Sequence, residues 1–350
     1  MISNTYADGA AIAAPIVAVS PLRPRKCWRS FEPISGTRLD VLGGVPRPRR
    51  LPPPRWTFHV VRRVNDRRFM LRPDAQLTAL FVWLLGVCAE LFGVEVHAVC
   101  VMSSHYHLVC TVEGDVISRF LELLDGQLAK SVNVLRRARR GILWEPGRLG
   151  ITELKTLDAI VEAIAYTIAN PVAAGLAWEP GDWPGLNVLV HELGRRVLRG
   201  TIPGFYFRSE TWAPEASLPI TLPASLLDAY GEDGARERIE VELARFVADA
   251  RADIKNKGWT VLGPVAARNV SPFRRATSWE PFGTLRPSFA TGRGNVAERV
   301  EASRELRVFR AEYRAAWIRY RDGEREGVVF PYGTLMMRLR HRVAVMPAPS

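Results

Sequence analysis

Two histidines and one tyrosine carry the sharpest chemistry in this 350-residue sequence. His105-Tyr106-His107 lies in the run AVCVMSSHYHLVCTVEGD. Side chains on a strand alternate faces, so His105, His107, Val109 and Thr111 share one face and Tyr106, Leu108, Cys110 and Val112 the other. Two imidazoles on one strand face can chelate a single cation; they also read as a pair of half-exposed polar strand residues. The chain has six histidines in all, so two on one face exceed the background. The second feature is Tyr166 with Asn170, one helical turn apart. A cation held by the two imidazoles and the Asn170 carbonyl oxygen would leave positions for a phosphate, whose phosphorus the Tyr166 oxygen could attack. An ordinary interfacial tyrosine is the other reading of that spacing.

These residues need elements to hold them. Residues 55–64 alternate and are rich in β formers, which predicts a strand. An apolar run predicts a buried helix over 74–92; its richest stretch, Leu77 to Ala89, falls short of the roughly 20 residues of a membrane span. Strands are expected at 94–102 and 105–113, joined through Ser103-Ser104. Ile117, Phe120, Leu121, Leu124, Leu128, Val132 and Leu135 repeat at helical spacing and end in Arg136, Arg137, Arg139 and Arg140, followed by Gly141. A further strand is expected within 142–154. A second amphipathic helix follows with Leu157, Ile160, Val161, Ile164 and Ile168 on its buried side, capped by Thr156 or Asp158 and limited by Pro171. The order β-α-β-β-α-β-α predicts an α+β fold, an antiparallel sheet with helices packed on it. The expected divisions are a flexible basic arm at 1–54, a catalytic domain at 55–198 and a mainly helical C-terminal extension at 199–350. In the extension, helices are expected at 233–256 and 295–322 around a loop at 263–294, with Phe309, Tyr313, Trp317 and Tyr320 as a packed stripe.

Charge points to a partner. The net charge is +12, and residues 1–72 alone hold 14 basic and 4 acidic residues, a net +10. Such concentration suits a polyanion, most often nucleic acid; a solubilising tail is the plainer reading. Hydrophobic content of 47% with 24% charged residues excludes a wholly disordered or collagen-like chain. Four scattered cysteines without a CxxC pair exclude a disulfide framework and a cysteine zinc site, and indicate a reducing, cytoplasmic compartment. No basic residue precedes the apolar residues 9–19, so no signal peptide is expected.

The His-hydrophobic-His segment and the later YTIANPVAAGLAWEPGDWP, in this order, resemble the IS200/IS605-type Y1 (HUH) transposases. The resemblance is closest to the REP-associated tyrosine transposases, where Tyr-x-x-x-Asn-Pro-Val is typical. TFHVVRRVNDRR is similar to that family's first strand, and Leu143-Trp144-Glu145 stands where the family has the same element. The resemblance covers about residues 55–195. The chain departs from it where Trp183-Pro184 is followed by Gly185-Leu186-Asn187, and where Arg55-Trp56-Thr57 replaces a Gly-Thr-Trp element.

The resemblance implies a ferredoxin-like antiparallel sheet flanked by helices, and an enzyme that cleaves and rejoins single-stranded DNA through a covalent 5′-phosphotyrosine. It implies His105, His107 and Asn170 as metal ligands and Tyr166 as nucleophile. Two imidazoles and an amide suit Mg²⁺ or Mn²⁺. Glu162, one turn before Tyr166, is a candidate helper for its proton. Arg62, Arg63, Arg67, Arg68, Arg136, Arg137, Arg139 and Arg140 are candidates to track phosphates, or solvated surface charges; Trp144 could stack a base or belong to the core. His59 and His97 are read as core or surface residues. The expected partner is single-stranded or hairpin DNA, without a membrane, in a bacterial cytoplasm and at the nucleoid in use. A monomer and a homodimer are both open. The alternative function is a domesticated DNA-hairpin-binding protein that does not cut.

Overall fold

The computed structural model describes residues 55–114, 116–138, 141–206, 209–277, 288–334, 337–338 and 341–347. The expected arm at 1–54, Arg139 and Arg140 lie outside the described residues.

Strand β1 (Arg55–Val64) is central because it pairs antiparallel with two later strands, β3 (His105–Glu113) and β4 (Trp144–Leu154). β2 (Glu95–Val101) pairs antiparallel with β3, giving the order β2-β3-β1-β4. The sheet and its flanking helices form the expected α+β, ferredoxin-like arrangement. A two-residue strand at Phe289–Ala290 adds in parallel to the free edge of β4 and is numbered β7 below.

Helix α1 (Ala75–Phe92) starts at Asp74, whose side chain accepts from the Leu77 amide at 2.9 Å, and ends at left-handed Gly93. It is 18 residues long with mean hydropathy 1.8, long and apolar enough by composition to cross a membrane. Here it is a core helix: Leu80, Trp83, Leu84 and Leu85 are wholly buried. Helix α2 (Ile117–Leu135) follows β3 at the expected bounds, and α1 and α2 pack together on one sheet face. Phe81 of α1 meets Tyr106 edge-on at 5.3 Å, and the Tyr106 hydroxyl donates to Asp125 of α2 at 2.8 Å.

Helix α3 (Leu157–Ala173) covers the other face and is capped by Thr156, which accepts from the Ala159 amide. Pro171 does not limit it as expected. The helix continues to Ala173 because Ile168 and Val172 are wholly buried, and packing outweighs the one backbone bond a proline removes.

The expected boundary at 198/199 falls inside β5 (Val197–Thr201), which pairs with β6 (Glu215–Pro219). This hairpin lies on the outer side of α1. A Cβ at Gly200 would stand 2.7 Å from the Trp83 amide nitrogen, so only glycine permits that approach. One continuous core runs from Phe58 through Leu198 and Leu218 to Phe246, Ala250 and Ala290. Helix α4 (Ala224–Asn256) begins earlier than expected, kinks at Gly231 (φ 66°) and packs along α3. A short helix α5 (Pro264–Asn269) follows, and α6 (Val296–Arg321) lies near its expected range. Phe309 and Tyr313 are buried, and Tyr313 packs on Phe330 of β8 (Val329–Phe330), which pairs with β9 (Ala344–Val345).

Candidate functional site

The register of β1 on β3 decides which side chains meet. Arg63 stands opposite His105, Val61 opposite His107, His59 opposite Val109 and Thr57 opposite Thr111. Directly paired residues share a face. Arg63, His59 and Thr57 therefore join His105 and His107 on the face that α3 covers.

His107 is buried, and its Nδ1 lies 3.0 Å from Nε2 of His59, the two rings stacking at 5.2 Å. His107 Nε2 is buried and has no hydrogen-bond partner. The His105 and His107 rings are 4.9 Å apart. Nδ1 of His105 lies 3.1 Å from the Ser104 hydroxyl, and the Asn170 side chain lies beside the same imidazole in the cleft. Asn170 is itself buried and fixed by its amide nitrogen, which donates to the Tyr166 carbonyl at 3.2 Å. The half-buried Tyr166 ring meets His107 edge-on at 5.6 Å, His59 at 6.0 Å and Phe246 of α4 at 5.8 Å.

The electrostatics keep these imidazoles neutral. Burial, with the guanidiniums of Arg63 and Arg67, lowers His105 to about 3. Burial also holds His107 well below the usual histidine range and lowers His59 to about 4. A neutral imidazole keeps the lone pair that a cation needs. Among the described residues no three His, Cys, Asp or Glu side chains gather as a metal cluster. The donor set here is two imidazoles with an amide beside them. The orphaned His107 Nε2 fits a cation, because a buried nitrogen with no partner is otherwise costly.

A second buried polar chain occupies the same face. His97 sits where the β2–β3 register shifts, with Nε2 2.7 Å from the Thr111 hydroxyl and Nδ1 2.9 Å from that of Thr221. Burial lowers it to about 4, and its ring nitrogens are both engaged. His97 is a structural residue.

The arginines divide by face. Arg63 and Arg67 line a cleft that also contains His105, Tyr166 and Asn170. Arg62 points to the opposite face: its Nε lies 3.1 Å from Asp125 and its guanidinium stacks over Trp144. Arg136 is buried and donates to the Met70 and Arg72 carbonyls and to Asp74, tying α2 to the loop before α1. Both guanidiniums, expected to track phosphates, are held here by protein partners, and neither lines the cleft. Arg68 pairs with Asp66 at 3.3 Å. Arg137 is exposed at the end of α2, with φ 51°. Trp144 is a core residue, its indole donating to the Asp125 carbonyl at 2.7 Å. Glu162 accepts from the Arg293 amide and guanidinium, and Arg293 also holds Glu242 of α4 with two bonds of 2.7 Å. That arrangement makes Glu162, expected as a helper for the Tyr166 proton, an anchor between α3 and α4 through Arg293.

Sequence reasoning missed His59 as a partner of the histidine pair. Its position in the alternation of TFHVV gave its face on β1, but the strand register that sets it beside His107 is not a local signal. It also missed Arg274 and Arg275, which line the same cleft from the C-terminal region.

No protein-family model matches this sequence, and no curated protein matches it. Among solved structures, the chain is similar to a REP-associated tyrosine transposase bound to a REP hairpin, with 20% identity and a TM-score of 0.35, over 43% of this chain and 85% of that one.

Proposed function

We propose that this chain cleaves single-stranded DNA and transfers the strand through a covalent 5′-phosphotyrosine at Tyr166. The observation that carries this reading is the convergence of Tyr166 on a pair of neutral imidazoles, one of which keeps a buried, unpartnered Nε2. The Tyr166 oxygen, giving up its phenolic proton, attacks phosphorus; the P–O3′ bond breaks, and O3′ leaves with the electron pair and takes up a proton to become a free 3′-hydroxyl. The ester bond is exchanged, not hydrolysed, so the same 3′-hydroxyl or another can reverse the step.

His105, His107 and Asn170 would hold Mg²⁺ or Mn²⁺. Such a cation supplies Lewis-acid polarisation of a non-bridging phosphate oxygen. His59 fixes the His107 ring so that Nε2 faces the site. Arg63 and Arg67 attract the phosphodiester, and Phe246 limits the freedom of the Tyr166 ring.

The decisive experiment incubates the full chain with Mn²⁺ and single-stranded oligonucleotides from the DNA flanking its gene. A covalent adduct that maps by mass spectrometry to Tyr166, and is absent from Tyr166→Phe, supports the proposal. An adduct on another tyrosine, or one that persists in Tyr166→Phe, overturns it. DNA binding with no adduct favours the non-cutting hairpin binder.

A further inference from the structure

The cleft beside Tyr166 has two walls from distant parts of the chain. One wall is the segment after β1, and the other is the segment after α5. Backbone bonds join them: the Phe69 amide donates to the Arg274 carbonyl at 3.0 Å, and the Ala276 amide to the Arg67 carbonyl at 3.2 Å, with Arg68 and Arg275 bridged between them. The Arg72 guanidinium adds a bond to the Val270 carbonyl at 3.1 Å. The first wall is held in an unusual shape, since Asp66 and Arg67 both adopt left-handed conformations, at φ 55° and 54°. Such positions persist in non-glycine residues where surrounding structure holds them, and they concentrate at ligand clamps.

The charge across this cleft is one-sided. Arg63, Arg67, Arg274 and Arg275 line it, with His105, Tyr166 and Asn170 among the same lining residues. Among the described residues, Asp66 lies 2.9 Å from Arg275 and also pairs with Arg68, and Glu145 lies 4.0 Å from Arg63. Among the described lining residues there are four guanidiniums and no carboxylate, and Arg274 is exposed. Apolar side chains line the same cleft, among them Phe69 after β1 and Leu262 just before α5. An apolar wall beside phosphate-binding arginines suits a nucleotide whose base face is uncovered, which a duplex does not offer.

We propose that Arg274 and Arg275 of the C-terminal region, with Arg63 and Arg67, form a clamp for the phosphate backbone of single-stranded DNA entering the Tyr166 site. The proposal rests on the reading of Tyr166 as the nucleophile. It gives the C-terminal region a role as half of the substrate channel. Each guanidinium that neutralises a phosphate releases counterions, so the clamp shows itself in the salt dependence of binding.

The test uses the full chain and a fluorescein-labelled (dT)20 strand, followed by anisotropy between 50 and 300 mM NaCl. Arg274→Ala/Arg275→Ala should reduce the slope of log affinity against log salt by roughly 1.4, at about 0.7 for each lost single-strand contact. Arg274→Ala alone, a change at an exposed side chain, should reduce it by roughly 0.7 even where the double variant folds poorly. Arg310→Ala/Arg314→Ala, exposed on α6, should leave it unchanged. A slope in both Arg274 variants equal to that of the unmodified chain overturns the clamp. Adduct formation at Tyr166 is measured in parallel. A reduced slope with no adduct in the unmodified chain refutes the nuclease reading and supports the clamp; a normal adduct with an unchanged slope does the reverse.

Discussion

Replacing His59 tests the candidate site without touching any residue assigned to the cation or the nucleophile. His107 Nδ1 and His59 Nε2 are 3.0 Å apart in a buried setting. If His107 donates its Nδ1 proton to His59, its Nε2 is left with the lone pair that faces the site. Removing the acceptor in His59→Leu has two consequences. The buried Nδ1–H loses its partner, at a cost of about 1–3 kcal/mol. The alternative is that the proton moves to Nε2, which then no longer binds a cation. Partners of this kind on metal-binding histidines typically change metal affinity by about 10–100-fold. Mn²⁺ titration by calorimetry or electron paramagnetic resonance should therefore show a loss in that range, with far-ultraviolet circular dichroism unchanged. His59→Gln offers an amide oxygen near the same place and should recover part of the loss. Wild-type Mn²⁺ affinity in a folded His59→Leu protein would refute the reasoning, because it would mean that the His107 tautomer is set by something else.

Arg136→Ala breaks a buried guanidinium–carboxylate pair and should cost about 3 kcal/mol in denaturant unfolding, yet leave the salt slope of DNA binding unchanged; an altered slope would return Arg136 to the phosphate contacts. Burial raises the Asp125 carboxyl to about 6 against the pull of Arg62, so its protonated form is favoured in the folded chain. That contribution is full below the unfolded pKa of about 4 and is lost as pH rises through about 6, a swing of about 3 kcal/mol. Relative to Asp125→Asn, the wild type should thus gain stability from pH 7 to pH 4, and parallel stability curves for the two proteins would contradict it. Deleting residues 1–50, which hold 8 basic and 3 acidic residues, should flatten the salt slope of DNA binding; an unchanged slope would make the arm a bystander.

Much of the fold was legible because its signals are local. The heptad-like spacing from Ile117 to Leu135 placed α2 at its observed bounds. The alternation of HYHLVCTVE put both histidines on one face of β3. Position-by-position patterns could not supply register. Whether β1 sets His59 or its neighbours beside His107 depends on how two strands 48 residues apart are paired. The same holds for Arg62 and Arg63, adjacent in sequence and alike in charge. One is drawn beneath α2 by Asp125 and the other opens onto the cleft, because strand alternation sends them to opposite faces. The 270–276 segment carried no hydrophobic period at all, since its contacts with 67–72 are made largely by backbone groups.

The two faces of the sheet differ in chemistry, and that difference argues for function. Toward α1 and α2, Phe58, Val60, Leu108 and Cys110 make an aliphatic and aromatic layer, whose polar groups Tyr106, Asp125 and Arg62 are paired with one another. Toward α3, the buried set contains Thr57, His59, His97, His107 and Thr111. A core built only for stability would fill those positions with aliphatic side chains, because each buried polar group needs a partner. Most have found one: Thr57 and Thr111 bond at 2.8 Å, Thr111 bonds His97, and His59 bonds His107. The chain of partners ends at His107 Nε2, which has none, and that nitrogen lies on the ring that faces Tyr166. A chain of buried polar partners that leaves its last atom unpaired is organised around what that atom binds. Replacing His107 with Leu should therefore leave the fold intact, and even raise its melting temperature, while abolishing the Tyr166 adduct. A folded His107→Leu protein that still formed the adduct would show that the layer is structural and that the chemistry lies elsewhere.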